Sequence, residues 1–219
     1  MSRALGHLPN DPELGRLVRS NYEHYGQLAV EFLRIRRLQA QPIEHVVQVQ
    51  GEEHLREALA LGKGVLILSG HLGNYDLSVV ALARVGFPIR IVSKPLKIKS
   101  IEKFWMEERA VFGLEISLNR GSLRGILEAL KEGKAVVFVL DQHSSTELVW
   151  VDFFGRSAST LPALAVLAQR TGAPVVPVFT HREPDGSNVI NIGPPLPFEE
   201  RDDRIEAVKH NTQRYTEVI

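Results

Sequence analysis

The sequence predicts an α/β fold, a three-layer α/β/α sandwich with a mostly parallel or mixed central sheet, preceded by an N-terminal amphipathic helical region. Three observations predict it. Short apolar runs alternate with helix-like segments along most of the chain. Several runs are apolar without a break, as over residues 65–68 and 136–140, which is typical of strands buried on both faces. Glycines, among them Gly86 and Gly172, stand where the predicted helices end.

The elements follow from these patterns in order. Apolar residues recur at a spacing of three and four over residues 11–39, which predicts an amphipathic helix that breaks before Pro42. Strands are predicted over residues 46–49, 65–68, 89–92, 114–116, 135–140, 149–153, 174–179 and 189–192. Helices are predicted over residues 52–61, 75–85, 98–112, 122–131, 160–171 and 202–219.

The length of 219 residues fits a single domain, with residues 1–41 as the helical region and residues 42–219 as the α/β core. The last predicted helix has no stop signal before Ile219. We therefore expect the natural chain to continue beyond this point.

Composition excludes several classes of function. The 26 lysines and arginines balance the 26 aspartates and glutamates, so no overall positive field attracts nucleic acid, and none is expected as a partner. The absence of cysteine excludes disulfides, thiol nucleophiles and thiolate metal sites. No signal peptide and no run of roughly 20 apolar residues is present, so we expect a cytoplasmic protein, soluble or bound to a membrane surface.

The most informative motif is a histidine followed, after four intervening residues, by an aspartate. His71 directly follows the apolar run that ends at Gly70, and Asp76 opens the next helical pattern. On one continuous helix the two side chains would point roughly 140° apart, so His71 must stand on the turn. Asn74 is a good N-cap, which places Asp76 in the first helical turn. The pattern predicts a general base, His71, with Asp76 as the carboxylate that orients its ring.

Three other interpretations of this motif stay open. His71 can simply end a strand while Asp76 begins a helix, with no shared role. Alternatively, His71 and Asp76 can join Asp141 and His143 as ligands of a hydrolytic metal, because the last two follow another buried strand and parallel strands end at one rim. A non-catalytic module that binds lipid or a carrier protein is the third possibility.

Further segments near the expected rim suggest substrate contacts. Ser157, Ser159 and Thr160 precede the helix predicted from residue 160, whose start can cap with a hydroxyl or bind an oxyanion. Arg109, Arg120 and Arg124 flank the strand at 114–116, and at least one is expected to reach the rim. An apolar groove for an acyl chain is expected from four aromatic residues: Phe104, Trp105, Phe153 and Phe154.

A basic segment suggests contact with a membrane surface. Four lysines alternate with apolar and aromatic residues after the strand at 89–92: Lys94, Lys97, Lys99 and Lys103. This mixture suits an anionic bilayer or an acidic carrier protein. A helix with a solvated lysine face is the alternative.

Taken in order, several short blocks resemble one known family. They are Gly70-His-Leu-Gly-Asn-Tyr-Asp76, Arg109-Ala-Val-Phe-Gly113, Asn119-Arg-Gly121, Leu140-Asp-Gln142, Val151-Asp-Phe-Phe-Gly-Arg156 with Ala158-Ser-Thr160, and Thr171-Gly-Ala-Pro-Val-Val-Pro177. From about residue 15 to the end the chain resembles the late-acting bacterial lipid A biosynthesis acyltransferases of the HtrB type, within the lysophospholipid and glycerolipid acyltransferase superfamily.

The resemblance implies transfer of a fatty acyl group from acyl carrier protein or coenzyme A to a lipid hydroxyl, at the cytoplasmic face of the bacterial inner membrane. It implies that His71 is the base and Asp76 its partner, with no cofactor, metal or acyl-enzyme. The substrate-binding residues that it implies are Arg109, Asn119, Arg120, Asp141, Gln142, Phe154 and Gly155.

Overall fold

The structure is a computed structural model that describes residues 5–6, 10–93, 95–118, 122–142 and 149–219. Its first helix, α1 (Pro12–Leu33), begins where Asp11 accepts a hydrogen bond from the Glu13 N–H, with proline at the first helical position. None of its residues is fully buried. Two 3-10 turns follow, Ile35–Ala40 and Ile43–His45, and lead into the core.

The α/β core alternates strands and helices much as the sequence predicts. Its elements are β1 (Val47–Gln50), α2 (Glu52–Ala60), β2 (Val65–Ser69), α3 (Tyr75–Arg84), β3 (Ile89–Ser93), α4 (Lys99–Ala110), β4 (Glu115–Leu118), α5 (Ser122–Lys131), β5 (Ala135–Val139), β6 (Val149–Asp152), β7 (Ser157–Thr160), α6 (Ala163–Thr171), β8 (Val175–Arg182), β9 (Asn188–Ile192) and α7 (Arg204–Glu217).

Seven strands form the central sheet in the order β1-β9-β8-β2-β5-β3-β4. Every neighbouring pair is parallel except β8 with β9, which form an antiparallel hairpin. The mostly parallel or mixed sheet predicted from the unbroken apolar runs is therefore confirmed. β6 and β7 form a separate two-stranded antiparallel sheet.

Helices cover both faces of the sheet, and the side chains of β2 alternate between the two cores. Val65 and Ile67 join one core with residues of α2 and α3. Leu66 and Leu68 join the other, which includes residues of α5 and α6 and Tyr215 of α7. All four β2 side chains are at most 1% exposed. The strand is thus fixed from both sides, which gives its carboxyl end a rigid position.

The hairpin of β6 and β7 differs from the sequence prediction. Residues 157–160 form a strand whose Ala158 pairs with Val151, and α6 begins at Ala163 after Pro162, whose φ suits the start of a helix. Among the described residues, no side chain caps α6. Both expectations for Ser157, Ser159 and Thr160, as helix caps or as an oxyanion site at a helix start, are wrong because these residues lie in β7.

Candidate active site

The site lies where β2 and β5 end side by side. The two strands pair in parallel from Val65 with Ala135 to Ser69 with Val139, a constant offset in sequence. Continued by two residues, the same offset brings His71 opposite Asp141, and these residues are 70 apart in the chain. The register of two buried strands therefore places an imidazole beside a carboxylate.

Asp141 holds His71 through two hydrogen bonds. The His71 backbone N–H donates to Oδ2 at 2.7 Å, and ring Nδ1 lies 2.8 Å from Oδ1. The side chains are 29% and 18% exposed, so substrate can reach the ring while the carboxylate is partly shielded from water. A carboxylate on Nδ1 favours the tautomer with its proton there, which leaves Nε2 as the basic nitrogen.

The turn after His71 depends on a glycine and on the residue that caps α3. Gly73 has a φ of +55°, and a Cβ there would lie 2.2 Å from the Thr180 carbonyl oxygen, so only glycine fits. Asn74 then caps α3 as predicted, because its Oδ1 accepts from the Leu77 N–H at 2.9 Å. The cap starts the helix and places Asp76 in its first turn, also as predicted.

Asp76 does not orient His71 as the sequence led us to expect. Its carboxylate pairs with the guanidinium of Arg109, which lies on α4. The Arg109 side chain is 4% exposed, with Cζ 3.3 Å from the centre of the Trp105 ring. The Asp76 carboxylate therefore neutralises a buried cation and does not bind the His71 ring. The residue that binds the His71 ring is Asp141. The sequence predicted that Asp141 lies on the same rim but did not predict this contact.

Arg109 therefore differs from the open anion clamp expected of it. Burial lowers its pKa, and the Asp76 carboxylate acts in the opposite direction. Two of its nitrogens, Nε and Nη1, are buried with no hydrogen-bond partner in the described part of the chain. Of the other arginines considered, Arg124 pairs with Glu128 on the exposed face of α5, and Arg120 lies outside the described residues.

Two further residues contact the His71 ring. Gln142 Nε2 lies 3.3 Å from His71 Nε2, the ring nitrogen that Asp141 does not contact. The Tyr75 ring meets the imidazole edge to face, with centroids 5.0 Å apart. Burial raises the pKa of the Tyr75 hydroxyl, with the nearby Asp76 carboxylate as the next cause. Tyr75 is consequently a neutral wall of the site.

Sequence reasoning missed a polar connection from the helical region to this turn. Asn74 Nδ2 donates to Glu31 of α1 at 2.6 Å, and Arg182 at the end of β8 donates to the same carboxylate at 2.7 Å. No local sequence signal links Glu31 to these residues, which are 43 and 151 positions away. The contact fixes α1 beside the His71 turn.

A cavity of about 320 Å³ opens beside Asp141 and Gln142. Its wall combines apolar side chains and hydroxyls from β6, β7, α7 and the end of β5: Leu140, Trp150, Phe153, Ala158, Ser157, Ser159, Thr160 and Thr216. The cavity is large enough for part of a substrate and mixes apolar with polar contacts. Both Asp141 and Gln142 reach it while also contacting His71.

The four aromatic residues expected in one groove separate into three places. Phe153 lines this cavity and meets Phe154 edge to face, and Phe154 is 59% exposed at the turn that also contains Gly155. Phe104 meets Phe32 of α1, and Trp105 lies under Arg109. The four aromatic residues therefore do not form the single groove that the sequence led us to expect. β6 and β7 form a sheet separate from the central one, and Phe153 and Phe154 follow β6 rather than lying on α4.

Three predicted site residues cannot be placed. Asn119, Arg120 and His143 lie outside the described residues. Among the residues that are described, no three histidine, aspartate or glutamate side chains gather in a way that could hold a metal ion. Asp76 and His71, two of the proposed metal ligands, contact Arg109 and Asp141 respectively.

The basic segment is exposed but partly neutralised. Lys99 lies 2.9 Å from Glu102, and Lys103 lies 3.8 Å from Glu107 on α4. Lys94 lies outside the described residues. Between the lysines, apolar side chains face solvent: Ile98 at 58%, Ile101 at 51% and Phe104 at 37% exposure. Within the described ranges, no helix combines the length and the apolar content that crossing a membrane requires.

Comparison with known proteins places these features in a family context. The family model for bacterial lipid A biosynthesis acyltransferase matches residues 2–219. The lipid A biosynthesis acyltransferase of Haemophilus influenzae is 28% identical over 130 residues, which are 59% of this chain and 41% of that protein. The phosphatidylinositol mannoside acyltransferase of Mycolicibacterium smegmatis is 28% identical over 191 residues, 85% of this chain and 62% of that protein.

The chain thus spans about half the length of the curated relatives it matches. Among solved structures, the 1-acyl-sn-glycerophosphate acyltransferase of Thermotoga maritima aligns with 99% of this chain and 86% of its own, at 16% identity and a TM-score of 0.44.

Proposed function

Because this chain belongs to the bacterial lipid A biosynthesis acyltransferase family, we propose that it transfers a fatty acyl group from a thioester to a hydroxyl of a lipid acceptor. The thioester is that of acyl carrier protein or coenzyme A. The observation that carries the proposal is the His71 ring, fixed by Asp141 on Nδ1 with Nε2 directed to the open side of the site. An imidazole nitrogen whose only polar contact is the exposed Gln142 amide, within the described residues, can take the proton of a hydroxyl once that amide moves.

In the proposed reaction His71 Nε2 takes the proton of the acceptor hydroxyl. The oxygen attacks the thioester carbonyl, an ester bond forms, and the carbon–sulfur bond breaks. The leaving thiolate takes the proton back from the imidazolium, which restores the base. Asp141 stabilises the imidazolium while it exists, because its carboxylate lies 2.8 Å from Nδ1. No acyl-enzyme, metal or cofactor takes part.

Gln142 is proposed to occupy the hydroxyl position until the acceptor arrives. Its amide lies 3.3 Å from Nε2, and the residue is exposed, so little opposes its displacement. Asp76 and Arg109 are proposed to act through position rather than by contact with substrate. Their buried pair fixes α4 against the first turn of α3, and so fixes the segment that begins at His71.

The cavity beside Asp141 is proposed to hold the acyl chain next to its thioester. Leu140, Trp150 and Phe153 supply apolar contacts there, and each methylene buried contributes on the order of 0.8 kcal/mol. The acceptor is proposed to be a glycolipid or phospholipid at the cytoplasmic face of the inner membrane, since the relatives are named for lipid A and phosphatidylinositol mannoside.

We assign membrane docking to the exposed face of α4 and the residues just before it. Since two of its lysines are paired with glutamates, apolar insertion by Ile98 and Ile101 contributes more than charge. Such docking would bring a lipid hydroxyl to the protein.

The decisive experiment is an acyl-transfer assay on the full chain with acyl carrier protein and coenzyme A thioesters. Extracted membrane lipid serves as the acceptor, and mass spectrometry detects the product. We expect a lipid product heavier by one acyl group, undiminished by chelators. Product formation by a His71→Asn variant at the wild-type rate would refute the mechanism. Loss of activity on chelation with recovery by zinc would favour the metal-dependent hydrolase.

A further inference from the structure

A second cavity of about 310 Å³ lies between the end of α1, the 3-10 segment after it and the capping turn of α3. It shares no lining residue with the cavity beside Asp141. Its walls are apolar where Phe32, Leu38 and Leu77 line it, and they also include Glu31, whose carboxylate accepts hydrogen bonds from Asn74 and Arg182. Asn74, which caps α3 between His71 and Asp76, also lines it, so an occupant touches the turn that carries the base.

The inner wall contains a polar atom without a partner. Asn188 lines the cavity and is 5% exposed, and its Oδ1 has no hydrogen-bond partner in the described part of the chain. Leaving a buried polar group unsatisfied is costly, so a hydroxyl-bearing ligand gains by binding there.

Two cations stand at the outer wall. Arg34 and Arg37 both line the cavity and are exposed, and within the described ranges neither has a carboxylate within ion-pair distance. The two arginines within α1 differ, because Arg16 pairs with Glu13 and Arg19 lies 3.6 Å from Glu23. Guanidinium groups without a carboxylate are suited to bind phosphate.

We propose that this cavity is a binding site for a phosphorylated polyol. Its phosphate contacts Arg34 and Arg37, and its carbon skeleton packs on Phe32 and Leu38. A hydroxyl donates to Asn188 Oδ1. A soluble polyol phosphate and the glycerophosphate headgroup of a membrane lipid share this chemistry. The proposal does not depend on acyl transfer, because none of these residues contacts the His71 ring in the structure.

The test is calorimetric titration of the full chain, wild type and His71→Asn, with sn-glycerol 1-phosphate and separately with inorganic phosphate. We expect saturable one-site binding in both proteins, tighter for glycerol phosphate. Arg34→Ala with Arg37→Ala should weaken binding by about tenfold or more, as loss of charged hydrogen bonds does. Asn188→Ala should remove the preference over inorganic phosphate. Arg16→Ala with Arg19→Ala, in the preceding helix α1, should change neither the affinity nor the preference.

A second measurement, of binding to lipid vesicles, distinguishes a lipid headgroup from a free polyol phosphate. Vesicles of phosphatidylcholine with phosphatidylglycerol are compared with vesicles carrying phosphatidic acid, which lacks the second glycerol, at equal charge. Preference for phosphatidylglycerol that the Asn188→Ala variant loses supports a lipid headgroup. Saturable binding of the soluble ester without that preference supports a free polyol phosphate. Binding to neither, or binding that both Asn188→Ala and the Arg34 and Arg37 variant leave unchanged, overturns the proposal.

Discussion

One carboxylate, that of Asp141, binds His71 at both its backbone N–H and its ring Nδ1, at 2.7 Å and 2.8 Å. The first bond fixes the direction in which the chain leaves β2. The second fixes the ring. Because both bonds come from the same side chain on the neighbouring strand, the position of the imidazole depends on the pairing of β2 with β5. The aspartate of the His71 motif holds a different residue, Arg109.

His71 is expected to be indispensable for turnover. His71→Asn should lower kcat by about a hundredfold to ten-thousandfold, the range for loss of a general base, while binding of the acyl thioester is retained. His181→Asn is the matched control. His181 lies in β8, the strand next to β2, but its ring pairs with Glu183 on the surface. Steady-state kinetics of the two variants provide the measurement. Equal loss in both would contradict a role for His71 as base.

Substitution of Asp141 is expected to reduce activity, whereas substitution of Asp76 is expected to reduce stability. Asp141→Asn should lower kcat strongly with a small change in Tm, because the imidazolium loses its carboxylate. Asp76→Asn should lower the free energy of unfolding by up to about 3–5 kcal/mol, since it leaves the buried Arg109 cation unpaired.

Thermal unfolding and acyl-transfer rates of both variants, measured at one temperature well below either Tm, separate the two effects. A fully stable Asp76→Asn protein that is catalytically dead would instead support the direct His71 partnership expected from the sequence.

The sequence predicted the layers and the rim but not the contacts across the rim. Unbroken apolar runs identify buried parallel strands, and the ordered motifs identified the family that the family model also matches. The partner of His71 required a strand register, which is set by sheet pairing rather than by neighbours in sequence. The constant offset between β2 and β5 was the available signal, but it becomes visible only once the two strands are known to be adjacent.

Local patterns also failed where tertiary pairing overrides them. Ser157 and Thr160 have the composition of a helix start, yet they form β7 because β6 offers them a partner strand. Glu31 of α1 carried no sign of its contact with Asn74, since an exposed glutamate on an amphipathic helix is ordinary. Contacts between distant elements are the part that one sequence leaves unspecified.

Gly73 is expected to tolerate no side chain. In Gly73→Ala the new Cβ would lie 2.2 Å from the Thr180 carbonyl oxygen, on a residue with a φ of +55°. The backbone strain alone costs about 1–3 kcal/mol, and the clash moves the His71 turn. We expect a lower Tm and a reduced kcat. Gly15→Ala is the control, because Gly15 lies in α1 with nothing within 4 Å of an added Cβ. Equal Tm for the two variants would contradict the close approach.

Membrane docking is expected to depend on apolar side chains more than on lysines. Ile98→Asp with Ile101→Asp should reduce sedimentation with anionic vesicles more than Lys99→Ala with Lys103→Ala does, because each lysine contributes at most about 1 kcal/mol and both pair with glutamates. Lys209→Ala on α7, paired with Glu206, is the control. Binding that depends on the lysines and not on the isoleucines would show an electrostatic surface instead.

Glu199 is expected to make stability depend on acidic pH. The hydrogen bond from His210 lowers the pKa of the Glu199 carboxyl below its ordinary value of 4.5, and the charges of Arg214 and Arg201 act in the same direction. A carboxyl whose pKa is lower in the folded protein stabilises it fully above the ordinary value and loses that effect as pH falls through the lowered one. Glu199→Gln should therefore lower Tm at pH 7, and the difference from wild type should shrink below about pH 4.

Glu200→Gln is the neighbouring control, because its side chain makes no ion pair in the part of the chain that the structure describes. A Tm difference for Glu199→Gln that stays constant from pH 7 to pH 3 would show that packing, and not charge, accounts for the contribution of Glu199.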